Sequence, residues 1–308
     1  MPPTEETVAF DAEVIAAYGR HLLVRDTHAQ EFPARPSGRR LSIVCGDRVR
    51  CARERDEVLV MEVLPRMTLL ARANLRGDSE PIVANITQLV VVVAALPAPD
   101  LFVVDRYLCA ATAAGIAGAI AVNKSDLDAD KIDPAELAAF NAAGYRLATC
   151  SAKVRAGLDE LRDLLAKGVN VLVGQSGVGK SSIVNALLPD AAVATGGLMR
   201  EEEGRHTTTA SRSYPLASGG ALIDSPGVRD FAPAIDLLDP RTLGFPEIDS
   251  LARGCRFADC KHMQEPGCAI IAAAESGALA PRRYESYRRL RRRYSDLINA
   301  RGYKRDRR

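Results

Sequence analysis

The sequence predicts a multidomain α/β protein with a small N-terminal β-barrel, a mostly parallel sheet covered on both faces, and a small metal-binding helical end. Three observations predict it. Short β-like runs fill residues 1–77 with no long helix between them. Near-continuous apolar runs alternate with helical patterns over 78–235, the texture of strands buried on both faces. Residues 236–308 have no comparable strand and hold a Cys/His cluster followed by a helical stripe.

Composition permits this reading and excludes others. The chain has 308 residues, 47% hydrophobic and 26% charged, so whole-chain disorder is excluded. The longest near-apolar stretch, around Ala110–Val122, falls short of the roughly 20 residues a spanning helix needs. The first twenty residues are acidic and lack the apolar core of a secretory signal. Seven cysteines, an odd number, argue against a fully paired disulfide framework and fit a reducing cytoplasm. Residues 281–308 carry 12 Arg or Lys against 3 Asp or Glu, and the rest carries 29 against 36. A basic end on an acidic body suggests a polyanion partner, although a solvated helix face reads the same way.

In the N-terminal part, strands are expected at Gly19–Arg25, Leu41–Val44, Asp47–Ala52 and Glu57–Leu64. The segment EFPARPSGRR and the Gly46-Asp47 turn are read as separators. Arg39, Arg40, Arg48, Arg50, Arg53 and Arg55 offer a basic surface. In the middle part, strands are expected at Leu89–Ala95, Ala117–Val122, Tyr145–Thr149, Val169–Val173 and Ala221–Ile223. In the last part, Pro281 opens a helix on which Tyr284, Tyr287, Leu290, Tyr294 and Leu297 form one apolar stripe.

The strongest chemical signal is Gly174-Gln175-Ser176-Gly177-Val178-Gly179-Lys180-Ser181-Ser182, between an apolar strand and the helical run Lys180–Leu188. It fits the phosphate-loop pattern. Glycines let the backbone curl so that N–H groups face phosphate oxygens, and the helix N-terminus adds partial positive charge. Lys180 neutralises the outer phosphates, and the Ser181 hydroxyl suits Mg²⁺.

The base is chosen by Asn123-Lys124-Ser125-Asp126, which follows the strand ending at Val122. Asp126 can accept from the guanine N1–H and amine, donors that adenine lacks there, so adenine would leave a carboxylate unpaired. Lys124 would lie along the base plane. Asn123 would tie its loop to the phosphate loop. Ser151-Ala152-Lys153, after Tyr145–Thr149, matches a loop that holds the guanine oxygen through a backbone N–H.

Asp224-Ser225-Pro226-Gly227 fits D-x-x-G, with Asp224 toward Mg²⁺ and the Gly227 N–H toward the γ-phosphate. One of Thr207, Thr208 and Thr209 is the expected switch ligand of Mg²⁺, and Thr208 is preferred. Val228 follows Gly227 where many GTPases carry a water-orienting Gln, and a Val side chain cannot bond to water. His206 is the local candidate for that task.

Cys255-x4-Cys260-x-His262-x5-Cys268 supplies three thiolates and an imidazole, a closed tetrahedral set for one structural zinc ion. Cys45, Cys51, Cys109 and Cys150 are expected in the core.

Asn123-Lys124-Ser125-Asp126 and Ser151-Ala152-Lys153 precede the phosphate loop instead of following it, so the usual motif order is circularly permuted. With GQSGVGKSS, GRHTTT, DSPG and the zinc spacing, the chain closely resembles the RsgA family of ribosome small-subunit-dependent GTPases of bacteria. The resemblance covers essentially the whole chain. It implies an OB-like barrel over 1–77, a permuted GTPase domain over 78–235 and a zinc-binding domain with a basic helix over 236–308. It further implies GTP hydrolysis to GDP and phosphate, stimulated by the small ribosomal subunit, during late subunit maturation through rRNA binding. A histidine at the position of His206 is implied to assist hydrolysis. A cytoplasmic, monomeric protein with no membrane partner is expected. The alternative is a non-catalytic, nucleotide-switched RNA-binding assembly factor, which Val228 keeps open.

Overall fold

The computed structural model describes residues 8–38, 41–54, 57–73, 79–127, 132–188, 211–225, 235 and 238–305. Five strands close an N-terminal barrel: β1 (Val8–Tyr18), β2 (His21–Asp26), β3 (Glu31–Pro36), β4 (Arg48–Glu54) and β5 (Glu57–Val63). Around the barrel the order is β1-β2-β3-β5-β4, and β1 returns to pair with β4. Only β3 and β5 run parallel. β1 makes closure possible because it serves two partners: Val8–Glu13 pairs with β4, and Ala12–Tyr18 pairs with β2 across a bulge at Val14–Ala16. Alternate residues Val14, Leu22, Val24, Val49, Cys51 and Val60 fill the interior. This is the expected OB-like barrel.

Its strands differ in detail from the sequence expectation. β1 was not anticipated, and Gly19, expected to begin a strand, is the positive-φ residue of the β1–β2 turn. The EFPARP segment, expected to be a separator, is β3. Its prolines fit because the β5 ladder begins only at Ala34, and Ser37 supplies the next N–H, to Val60 O. Leu41–Val44 is not a strand. The fully buried Asp47 accepts the Val44 N–H at 2.9 Å and the Arg66 guanidinium at 2.7 and 2.9 Å, which turns the chain there. A hairpin, β6 (Leu69–Ala73) with β7 (Ser79–Ala84), follows.

The second sheet holds β8 (Gln88–Ala94), β9 (Ala117–Asn123), β10 (Arg146–Thr149), β11 (Val169–Val173), β12 (Ser211–Pro215) and β13 (Ala221–Asp224). Its order is β10-β9-β8-β11-β13-β12, parallel except for β12. Every residue of β8 is buried, as a strand covered on both faces requires. α1 (Leu101–Ala113) and α2 (Pro134–Ala142) cover one face, and α3 (Leu158–Leu165) and α4 (Lys180–Leu187) the other. Asn170, the polar interruption of β11, is fully buried yet satisfied: its amide donates to Leu165 O, Gly168 O and Ala221 O, and its oxygen accepts from Gln88.

β12 also pairs with β1, at Ala16–Arg212 and Ala17–Ser211, so one sheet of eleven strands runs through both units. A second junction joins Cys45 to Val83 and Gly46 to Asn85.

α5 (Pro246–Ala252), α6 (Ala269–Ser276) and α7 (Pro281–Arg305) form the C-terminal unit. Phe245, Ile248, Ile270, Leu279, Tyr287 and Leu290 pack there against Phe102 and Cys109 of α1. Arg283, 1% exposed, reaches Asp105 of α1 and Glu247 of α5, and Arg282 reaches Asp105 and Glu136. Arg291 is buried on the carbonyls of Pro240 and Arg241. The basic end is therefore not one solvated or polyanion-facing set, because three of its arginines are structural. The stripe is buried at Tyr287 and Leu290 and partly buried at Tyr284 and Tyr294, but Leu297 is 39% exposed, with none of the described core clusters reaching it. Cys45, Cys51, Cys109 and Cys150 are buried free thiols, as expected. No helix among the described residues is long and apolar enough to cross a membrane.

Candidate functional site

Three loops meet at the carboxyl ends of β9, β10 and β11, where ligands bind in parallel sheets. The loop after β11 curls as the motif requires. Gly174 has φ +135°, and a Cβ there would lie 2.3 Å from Val92 O. Gly179 has φ +95°, and its Cβ would lie 2.3 Å from Asn123 Nδ2. Gly177 is also left-handed, and Val178 is buried against the sheet while Gln175 and Ser176 are exposed. Gly179 caps α4 with no side-chain acceptor, so the first N–H groups of that helix remain available to an anion. Lys180 Nζ lies over the loop at 2.5 Å from Gly174 O and 2.8 Å from Gln175 O. Ser181 and Ser182 occupy the first turn of α4.

Asn123 ends β9 and is buried. Its Nδ2 donates to Val178 O at 2.9 Å and its Oδ1 accepts the Ala152 N–H at 3.1 Å. The tie to the phosphate loop was expected; the bond to Ala152 was not, and through it one amide joins all three loops. Lys124, held at φ +61°, donates to Gly177 O at 2.6 Å and Leu96 O at 2.8 Å, so its stem lies across the phosphate loop. The Ser125 N–H donates to Cys150 O. Asp126 is exposed and accepts from the buried Ser151 hydroxyl at 2.5 Å. That hydrogen bond holds its carboxyl below the ordinary range. The outcome is an ionised, oriented acceptor at the mouth of the site, with exposed Lys153 beside it.

Asp224 ends β13, the parallel neighbour of β11, and so stands at the same edge as Ser181. An acid and a hydroxyl at that edge are hard oxygen donors suited to magnesium. Ser225 is buried, with its hydroxyl 2.7 Å from that of Ser211. His206, Thr207, Thr208, Thr209, Gly227 and Val228 lie outside the described residues.

In the C-terminal unit, ligand atoms of Cys255, Cys260, His262 and Cys268 all lie within 4.8 Å of one another. His262 Nδ1 is 3.4 Å from the sulfurs of Cys255 and Cys268, which are 3.9 Å apart. Tetrahedral zinc with bonds of about 2.3 Å to sulfur and 2.0 Å to nitrogen separates its ligands by about 3.5–3.8 Å, so the residues fit it. Burial pushes the Cys260 thiol up to about 12 and the Cys268 thiol upward, and burial lowers His262 toward its neutral form. The thiols need a cation to ionise, and the imidazole is ready to ligate. Burial pushes the Glu265 carboxyl up, but the N–H groups of Gln264, Met263 and Lys261 outweigh it and bring the group down to about 2, which folds the loop between the ligands. Tyr284 and Tyr287 donate to His262 O and Lys261 O, seating the cluster on α7. The sequence reading missed these two tyrosine hydroxyls, since their helical spacing reports only the apolar face.

A parallel sheet with the phosphate-loop motif on a central strand, and the N-K-x-D and S-A-K motifs earlier in the chain, defines a circularly permuted GTP hydrolase. The RsgA GTPase family profile matches residues 63–233. A small ribosomal subunit biogenesis GTPase RsgA of Pseudomonas putida F1 is 41% identical over 285 residues, covering 89% of this chain and 83% of that protein. One of Neisseria meningitidis FAM18 is 40% identical over 288 residues, covering 92% of each. The crystal structure of YloQ, a circularly permuted GTPase, has a TM-score of 0.73 at 27% identity over 96% of this chain and 99% of that one. YjeQ of Thermotoga maritima gives 0.71 at 26%, over 93% and 99%. The chain belongs to the RsgA GTPase family.

Proposed function

We propose that this GTP hydrolase acts in biogenesis of the small ribosomal subunit, which stimulates its turnover during late maturation through rRNA contacts. The names of the relatives support the partner. The Asn123 junction supports the nucleotide, because one buried amide joins the phosphate loop to both base-recognising loops. In this reading Gly174–Ser182 cradle the phosphates and Lys180 neutralises them. Asp126 accepts from the guanine edge, Lys124 flanks the base, and the Ala152 N–H faces the guanine oxygen. Ser181, Thr208 and Asp224 hold magnesium, which when bound neutralises charge on the β- and γ-oxygens. His206 orients the attacking water in line with the γ-phosphate, and the Gly227 N–H meets that phosphate; Val228 cannot bond to water.

The division of labour follows the three parts. Residues 1–77 contact RNA through the barrel, on which Arg48, Arg50 and Arg53 are exposed. Residues 78–235 hydrolyse GTP. Residues 236–308 are held by one zinc ion on Cys255, Cys260, His262 and Cys268, a closed set that leaves no position for catalysis. The deciding experiment is steady-state GTP hydrolysis titrated with purified small or large subunits. Stimulation by small subunits alone is expected; equal stimulation by large subunits, or none by either, overturns the reading.

A further inference from the structure

The arginines of α7 from Arg282 to Arg293 fall into three sets. Arg282, Arg283 and Arg291 face inward and are matched by acids or carbonyls. Arg288 and Arg292 lie 3.1 and 3.7 Å from Glu285. Arg289 and Arg293 have no carboxylate within ion-pair distance among the described residues. Both lean on one ring of α1: their guanidinium carbons lie 3.9 and 5.4 Å from the centroid of Phe102, a buried side chain. One turn along α1 from Phe102 stands Arg106, half-buried, whose Nε is buried without a hydrogen-bond partner. Burial lowers its pKa, and Arg293 and Arg289 push the same way. Asp100, the nearby acid, pulls on Arg106 more weakly than either arginine pushes, and its Oδ1 already accepts the Phe102 and Val103 N–H groups that begin α1. Among the described residues, three guanidinium groups thus crowd one seam with Asp100 as the one acid acting on Arg106, although carboxylates answer Arg282, Arg283, Arg288 and Arg292.

We infer that the seam between α1 and α7 binds the phosphate backbone of an RNA strand through Arg106, Arg289 and Arg293. This rests on the ribosomal reading above and adds a contact to it that belongs to the GTPase and C-terminal units together. Charge complementarity selects the occupant. The ring of Phe102 fixes the arginines at an interval of four residues, about 6 Å along the helix, so they meet successive anions of one chain. Guanidinium groups suit phosphate oxygens by their planar fork of donors. Contacts of this kind fix orientation and carry no base preference.

The test compares two double variants of equal charge change, Arg289→Gln/Arg293→Gln and Arg288→Gln/Arg292→Gln, for binding to purified small subunits across a salt series. Melting temperature verifies the fold of each. The first pair is expected to bind about tenfold more weakly near 0.1 M salt, with a slope of log affinity against log salt shallower by about 1.5. The second is expected to stay within about twofold of the unaltered chain, and Arg106→Gln to move with the first pair. Equal losses in both pairs, or no loss in the first, overturn the inference while leaving the ribosomal reading standing. Loss of binding to anionic lipid vesicles with subunit binding intact also overturns it. Failure of the unaltered chain to bind small subunits removes both.

Discussion

In the proposed function Asp126 carries base choice through a single exposed carboxylate, and its strength there comes from what orients it. The Ser151 hydroxyl donates to one oxygen at 2.5 Å and favours the charged form. Because the folded pKa is depressed, the acceptor is intact at neutral pH and is lost only as pH falls through that lowered value. Asp126→Asn turns an acceptor toward guanine into a donor. GTP affinity should drop by at least about 100-fold, and xanthosine triphosphate, with a carbonyl in place of the guanine amine, should recover part of it. Competitive nucleotide titration checks this, and unchanged preference for GTP refutes the assignment. Ser151→Ala should raise the pH at which GTP affinity begins to fail, read as a shifted acid limb of the binding profile. These residues were legible in sequence because each is confined to a short motif whose spacing reflects ligand geometry. Ser151 was legible only as part of a loop. That its hydroxyl steers Asp126 depends on the packing of β9 beside β10, which spacing along the chain does not encode.

At the scale of elements, α7 shows how burial can reverse the meaning of charge. Its arginines looked alike in sequence, yet Arg283 is enclosed by Phe140, Tyr145 and Phe245 and bonded to Asp105 and Glu247. Burial alone would lower its pKa, and the two carboxylates more than offset this and raise it. Arg283→Met leaves Asp105, which is fully buried, facing Arg282 alone. Breaking such a pair costs about 3–5 kcal/mol, and chemical denaturation should show the docking of α7 on α1 weakened by that order. A loss under about 1 kcal/mol would mean that the network is not what holds the two units together. The cysteine cluster secures the other side of α7. Cys260→Ser should lower both the zinc content and the melting temperature, whereas a variant with normal melting and no zinc contradicts a structural metal. Strands were legible where both faces are buried, as in β8, β9, β11 and β13. They were missed in β1, β3, β6, β7 and β12, whose sequences are mixed, proline-bearing or polar, and β1, β3 and β12 each take one partner from a distant part of the chain.

For the whole molecule, the order of the chain and the order of the sheet have different consequences. Permutation leaves β11 central and lets β13 lead onward to the C-terminal unit, while β12 joins β13 to β1 of the barrel. The residues expected to sense the γ-phosphate immediately precede β12 and follow β13 in sequence, so the β12–β13 hairpin lies between the nucleotide and the barrel. Hydrogen-bonded strands move together, because slippage by one residue would exchange their buried and exposed faces. Ala16 and Ala17 of β1 should therefore register the nucleotide state, whereas β3 and β5, on the far side of the barrel, should not. Amide hydrogen exchange with GDP and with a non-hydrolysable GTP analogue tests this coupling directly. The expected pattern is a difference of at least about threefold in exchange rate at β12 and at the Ala16–Ala17 end of β1, with β3 and β5 unchanged. A difference that stops at β12 would make the barrel a passive anchor, and nucleotide state would then have to reach the proposed RNA contacts through α1 and α7.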